Sequence, residues 1–290
     1  GAQSSARRVP TAVRESVLQP LYSPAGLLTF VSDRSGWWNL YQELESGPRP
    51  LCPRAAEFAQ PHWVFGLSNY AFMDAERILC VYQENAVDHL GVLHTQTGAL
   101  REIQTPFTDI NSVSVSGNTA GIVAASSLSS QSVYVMNCES ESFECLRSSQ
   151  GTGWEEEWFS IPEPIEFPTE EGLSAYAFYY PPTHPGVEGP AGHRPPLLVK
   201  SHGGPTGRAT SGLDFRVQYW TSRGFAVVDV NYGGSTGFGR AYRERLAGNW
   251  GVVDVQDCVN ASRWLTAEGR VDPERLAITG GSAGGYTTLC

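Results

Sequence analysis

The sequence predicts two architectures in one chain, an all-β repeat region followed by an α/β domain built on a mostly parallel sheet. Three observations predict it. Between about 20 and 150, short stretches of period-2 alternation recur, each bounded by Gly, Ser, Asn or Asp. After 196, near-continuous apolar runs alternate with segments of helical length, the pattern of parallel strands buried on both faces. Between the two lies a stretch rich in Pro and Gly, which interrupts regular structure. With 290 residues, 41 % apolar and 17 % charged, the chain is long and apolar enough for two domains and too apolar for disorder.

Taken in chain order, "GLLTFVSD" (26–33) and "NLYQELESG" (39–47) form one strand pair. "RILCVYQ" (77–83) and "LGVLHTQTG" (90–98) form a second, and "AGIVAASS" (120–127) with "SVYVMNCES" (132–140) a third. Leu28, Leu79 and Val123 start equivalent strands, at spacings of 51 and 44 residues. That interval suits a four-stranded propeller blade, which buries its faces only against neighbouring blades. A two-sheet sandwich shows the same alternation, and only the spacing favours blades. Residues 1–155 are therefore expected to be a partial β-propeller of about three blades. Three blades do not close a ring, so further N-terminal sequence is expected. Residues 156–196 form the connection and a lead-in hairpin, with one clear strand in "LSAYAFYYP".

The α/β part, 197–290, opens with the apolar strand of "PLLVKSHGG". "LDFRVQYWTSRG" reads as a helix stopped by Gly224, and "FAVVDVNYGG" as a second buried strand. "VVDVQDCVNASRWLTAEG" is a longer helix, with Val255, Cys258, Val259, Ser262 and Leu265 along one side. "ERLAITGGS" is the third strand, and right-handed crossovers join the set.

Composition excludes several roles. The net charge is −10 with no block of Lys or Arg, so nucleic acid is not an expected partner. No run approaches the ~18 apolar residues of a membrane span. The six cysteines show neither C-x-x-C nor metal-ligand spacing, which points to free thiols in a reducing, cytoplasmic setting. Cys138 and Cys145 alone are close enough in sequence to bridge a hairpin.

The chemistry concentrates in "TGGSAGGY" (279–286). Gly280, Ser282 and Gly284 fit G-x-S-x-G, with a strand before and a helix after. A nucleophile at such a turn has a strained backbone, and side chains two residues either way would collide with the adjoining elements. Small residues let the turn close and leave the hydroxyl exposed. The second element is "SHGGP" (201–205), at the end of the first parallel strand. Acyl transfer develops negative charge on a carbonyl oxygen, and preorganised N–H groups stabilise it. The expected donors are the Ala283 and Gly204 N–H groups, with Gly203 as the alternative to Gly204. His202 is a tempting general base, but in α/β-hydrolases the base follows the serine in sequence, so it is read as shaping its loop. The other histidines, at 62, 89, 94, 184 and 193, have no motif around them.

"KSHGGP", "FAVVDVNYGGSTGFG", "NWGVVDVQD" and "ITGGSAGGY", in this order and spacing, resemble the catalytic domain of the prolyl oligopeptidase family of serine peptidases. Within that family they are most similar to the acylaminoacyl-peptidase and dipeptidyl-peptidase-like branch. The resemblance covers 197–290 and implies an α/β-hydrolase domain preceded by propeller blades. It also implies hydrolysis of short peptides through an acyl-enzyme on Ser282, without metal or cofactor, and leaves self-association open. It implies a triad Asp and His beyond Cys290, so that the chain reads as a truncated catalytic domain, inactive alone. One departure is Gly233, where the family pattern N-Y-R-G-S carries arginine. "WEEEW" (154–158) is similar to the glutamates that hold a substrate amine in dipeptidyl peptidases, but its place at the junction favours a solvated acidic linker. Asp254 and Asp257 sit near a helix start, where capping and ion pairing are expected of carboxylates. A carboxylesterase-like hydrolase and a non-catalytic propeller protein are the alternative functions.

Overall fold

Strict alternation places successive side chains on opposite faces of a strand, and the central sheet of the first half shows what this achieves. The computed structural model describes residues 9, 11, 14–149 and 155–290. The strands Val17–Tyr22, Leu28–Ser32, Asn39–Leu44 and Gly47–Pro50 (β1–β4) form one antiparallel sheet in that order. Tyr70–Phe72, Arg77–Glu84, Val87–His94 and Leu100–Ile103 (β5–β8) form a second. Asp109–Ser116, Thr119–Ala125, Ser132–Asn137 and Phe143–Ser148 (β9–β12) form a third. In β6, Ile78, Cys80 and Tyr82 join a core with Val31, Leu40 and Phe58 of the first sheet and its outgoing loop. The alternate residues, Leu79 and Val81, join a second core with Ile110, Val113 and Ile122 of the third sheet. Burying each such side chain stabilises by roughly 1.5–3 kcal/mol. The middle sheet is thus covered on both faces by other sheets, which a two-layer sandwich does not provide.

The three expected strand pairs are β2–β3, β6–β7 and β10–β11. Their flanking strands carry weaker patterns. The edge strand β4 is Gly-Pro-Arg-Pro, tolerated because an edge needs no ladder N–H from proline. Cys138 and Cys145 are unbridged, and the register explains it. Cys145 lies opposite Tyr134, four residues before Cys138. At ~3.3 Å per residue that separation is about 13 Å, beyond disulfide reach.

Trp154 of the acidic motif lies outside the described residues. Its neighbours Glu156–Trp158 form a turn of 3-10 helix with both glutamates exposed. Then Glu163–Pro168 and Ser174–Tyr180 (β13, β14) make the lead-in hairpin. They share a five-stranded sheet with Leu197–Ser201, Ala226–Asn231 and Leu276–Gly280 (β15–β17), ordered β13-β14-β16-β15-β17. The pairings within β16-β15-β17 are parallel, whereas β14 joins β16 antiparallel and β13 joins β14 antiparallel. The sheet is therefore mixed, and "mostly parallel" holds only for its β16-β15-β17 part.

Helices cover both faces. Phe215–Thr221 (α1) packs Val217 against Phe178, Leu198 and Val227. Val253–Ala267 (α3), preceded by the short Gly239–Glu244 (α2), packs Cys258, Ala261 and Leu265 against Val199, Val228 and Val230. The inward face of α3 differs from expectation. Cys258 and Leu265 are buried, but Val259 is exposed, and Asp254 and Asp257 turn inward instead. The two carboxylates rotate the face because each meets donors from other elements. The edge strand β17 is also more open than its apolar sequence suggested, with Leu276 and Ile278 both exposed. No helix among the described residues is long and apolar enough to cross a membrane.

All three sheets touch the α/β domain through their β2–β3-type connections. Gly36 O accepts the Arg240 N–H at 2.8 Å, Ala86 O accepts Arg208 Nη1 at 2.8 Å, and Ser126 O accepts the Leu213 N–H at 2.8 Å.

Candidate active site

A parallel sheet presents its ligands at the C-terminal ends of its strands. Here β15 and β17 both end in glycine-rich turns, and their register sets Ser201 beside Gly280. Beyond Gly280 the chain turns into Ala283–Leu289 (α4). Ser282 occupies the bend with φ 54° and ψ −119°, a conformation that costs a non-glycine residue about 1–3 kcal/mol. Its side chain is exposed.

The glycines around it are required by contact. A Cβ on Gly280 would stand 2.2 Å from Gly284 O, and one on Gly284 would stand 2.1 Å from Ser201 O. Gly281, between them, has open space. Ser201 Oγ donates to Gly284 O at 2.9 Å, tying the end of β15 to the first turn of α4. From the other side, Asp254 accepts from Thr287 Oγ1 at 2.5 Å and from the Gly251 N–H at 2.7 Å. The expected cap is thus a brace between α3 and the helix behind the serine.

The 202–207 loop lies against this bend. A Cβ on Gly203 would come within 3.2 Å of Gly281 O and 3.5 Å of Ser282 Cβ. Gly204 has φ +135°, open only to glycine. Among the described residues, neither the Gly204 N–H nor the Ala283 N–H has an acceptor. His202 is not free to act as a base. Its Nε2 lies 2.7 Å from Ser235 Oγ, its Nδ1 lies 2.8 Å from Gly203 O, and its ring stacks on Tyr232 at 4.3 Å. Burial pushes its pKa down, so the imidazole is neutral. It shapes the loop.

Gly233 has a packing explanation. A side chain there would meet Val253 Cγ1 at 2.6 Å and the Arg245 stem at 3.2 Å. Arg245 fills that space and donates to Ser174 O at 2.7 Å. The Gly233 N–H donates to Asp257 Oδ2 at 2.7 Å, so Asp257 also serves as a brace rather than an ion-pair partner. Tyr232 and Ser235 were not singled out from the sequence. It is the parallel register of β15 and β16, which the sequence does not carry, that sets Tyr232 beside the His-Gly-Gly turn.

A polar cleft of about 270 Å³ opens next to the bend, lined by His202, Gly203, Gly281, Lys200, Asp214 and Asp229. Lys200 Nζ pairs with Asp229 at 2.5 Å and Asp214 at 3.4 Å. The larger cavity, about 1320 Å³, lies at the opposite end of the strands, between residues 182–196, 221–225 and 275–277. Its position does not suit it to serve Ser282.

Residues 211–290 match the model of the prolyl oligopeptidase family. A solved puromycin-hydrolyzing peptidase of Mycobacterium tuberculosis is 39 % identical with a TM-score of 0.94, covering 99 % of this chain and 45 % of that one. Dipeptidyl aminopeptidase BIII of Pseudoxanthomonas mexicana is 33 % identical over 132 residues, 44 % of this chain and 19 % of the relative. Acylamino-acid-releasing enzyme 2 of Oryza sativa subsp. japonica is 38 % identical over 96 residues, 33 % of this chain and 12 % of the relative. The chain spans less than half the length of these proteins. The resemblance carried by the four motifs is borne out.

Proposed function

We propose that Ser282 is the nucleophile of a serine peptidase of the prolyl oligopeptidase type that acts on short peptides. The observation that carries this reading is the exposed Ser282 at φ 54° on a strand-to-helix bend, with the His-Gly-Gly loop packed against it. The three antiparallel sheets are read as neighbouring propeller blades, supported by their face-to-face packing.

In the acylation step, Ser282 Oγ attacks the scissile carbonyl carbon and gives its proton to a base, which passes it to the departing amine. The carbonyl oxygen becomes an oxyanion held by the N–H groups of Ala283 and Gly204. Such a donor contributes about 10²–10³ in rate. Water then attacks the acyl ester, releasing the carboxylic acid and restoring the serine hydroxyl. The base and its orienting acid, a His and an Asp in peptidases of this type, are not assigned to residues of this chain.

The relatives' names specify different substrates, so the test uses a panel. The full-length protein is treated with a fluorophosphonate probe, then assayed on puromycin, unblocked dipeptide amides, N-acylated peptides and simple esters. Labelling and amide turnover that are both lost in Ser282→Ala support the proposal. No labelling sinks the catalytic reading, and turnover of esters alone replaces the peptidase by a carboxylesterase.

A further inference from the structure

We propose that Tyr232 is the positioning residue of the oxyanion loop: its phenol, together with His202 and Ser235, fixes the two peptide units that carry the Gly203 and Gly204 N–H groups. The inference rests on the nucleophile reading of Ser282 and adds a role that the reading does not require.

The geometry follows from strand register. β15 and β16 are parallel neighbours with Ser201 beside Val230, so the residues just beyond each strand meet side by side. Tyr232 is fully buried, and its hydroxyl donates to His202 O at 2.9 Å, with Pro205 O at 3.2 Å also in reach. The ring of His202 stacks on the Tyr232 ring, and its Nδ1 holds Gly203 O. Ser235 Oγ sits 2.7 Å from His202 Nε2 and fixes the other edge of the imidazole. A carbonyl oxygen only accepts, so Nδ1 carries a proton donated to Gly203 O, while Ser235 Oγ bridges His202 Nε2 and Tyr232 O, each at 2.7 Å.

The consequence is directional. In a trans peptide the N–H points opposite to the carbonyl of the same unit. The His202 carbonyl belongs to the unit of the Gly203 N–H, and the Gly203 carbonyl to that of the Gly204 N–H. Holding both carbonyls therefore fixes the direction in which both amide protons point. A flexible Gly-Gly turn would otherwise spend part of its time with these dipoles elsewhere, and preorganisation of such donors is what makes them effective. Tyr232 touches no reacting atom. It acts through the loop.

Burial pushes the phenol pKa well up, so the hydroxyl remains a donor throughout the working range. The arrangement also accounts for the joint presence of "SHGGP" and "NYGGS" about 30 residues apart: one supplies the donors and the other supplies their mount.

The test uses the full-length protein and three variants, Tyr232→Phe, Ser235→Ala and Ser282→Ala. The readouts are kcat, KM, inhibition by a peptide aldehyde (which forms a hemiacetal oxyanion on serine) and thermal midpoint. Tyr232→Phe keeps the ring and removes only the hydroxyl. Its kcat should fall ~10–100-fold, somewhat less than for loss of an oxyanion donor itself, with KM changed less than about threefold. The aldehyde Ki should rise in proportion to the fall in kcat/KM, which a purely structural role would not produce. Ser235→Ala should show the same pattern at smaller size, about 3–10-fold, and stands in should the first variant fail to fold. Unchanged kcat in both folded variants overturns the inference while Ser282→Ala, being inactive, leaves the nucleophile intact. A rise in KM with unchanged aldehyde affinity also overturns it. Activity surviving in Ser282→Ala removes the premise itself.

Discussion

Arg208, in the loop after the His-Gly-Gly turn, grips Asp88 of the second sheet through Nη2, at 2.8 and 3.0 Å to the two carboxylate oxygens. Asp88 is fully buried and Arg208 nearly so. The same carboxylate accepts from Gln83 Nε2 at 2.7 Å and from the Ile110 N–H at 2.8 Å. One acidic side chain therefore joins two sheets to the loop region beside the candidate active site. Removing one partner of a buried pair leaves an uncompensated charge. Arg208→Met should cost about 3–5 kcal/mol in urea unfolding, and Asp88→Asn added to it should recover part of that loss. Equal stability of wild type and Arg208→Met would refute the pairing.

The elbow glycines give a positional contrast. Gly280→Ala and Gly284→Ala each place a methyl within 2.3 Å of backbone oxygen, so both should abolish probe labelling at Ser282. Gly281→Ala faces open space and should leave stability within about 0.5 kcal/mol and labelling intact. A Gly284→Ala variant that labels at the wild-type rate would show that the bend is not as tight as described.

Asp254 and Thr287 couple α3 to the helix behind the serine. Thr287→Val keeps the shape and removes the hydroxyl, leaving a buried carboxylate oxygen short of its donor. The expected cost is about 1–3 kcal/mol in chemical denaturation, whereas Thr288→Val, outside that brace, should cost less.

Glu57 predicts a pH dependence at the contact between the sheets and the α/β domain. Its carboxylate accepts the Trp38 N–H at 2.6 Å and the Gly239 N–H at 3.1 Å, with Arg243 at 3.8 Å and Asp33 near that arginine. Burial dominates and pushes its pKa from 4.5 up to about 7. Between those values the folded protein keeps a proton that the unfolded chain has released, so stability falls as pH rises through the window and levels off above about 7. Glu57→Gln cannot titrate. The stability of wild type relative to this variant should therefore decline between pH 5 and pH 8. A constant difference would contradict the assignment.

Much of the site was legible because its constraints are local. The serine bend needs glycines at fixed offsets and a strand before it, and both are written in consecutive residues. The α3 face was misread at Val259 for the opposite reason. Which side of a helix turns inward depended on donors at Gly233, Thr169, Gly251 and Thr287, scattered over more than a hundred positions. The cysteines are free thiols as expected, but only the strand register shows why Cys138 and Cys145 cannot meet, since sequence proximity says nothing of it.

By itself, the sequence determined the kinds of element, the repeat of four-stranded units, the position of the serine and the need for small residues around it. These follow from periodicity and steric exclusion, which act between near neighbours. The tertiary structure decided which carbonyls are held, which carboxylates are buried and which side chain fills the space beside Gly233. Those outcomes depend on hydrogen bonds and contacts between strands and helices far apart in the chain, whose partners are specified only once the sheet has set its order and register.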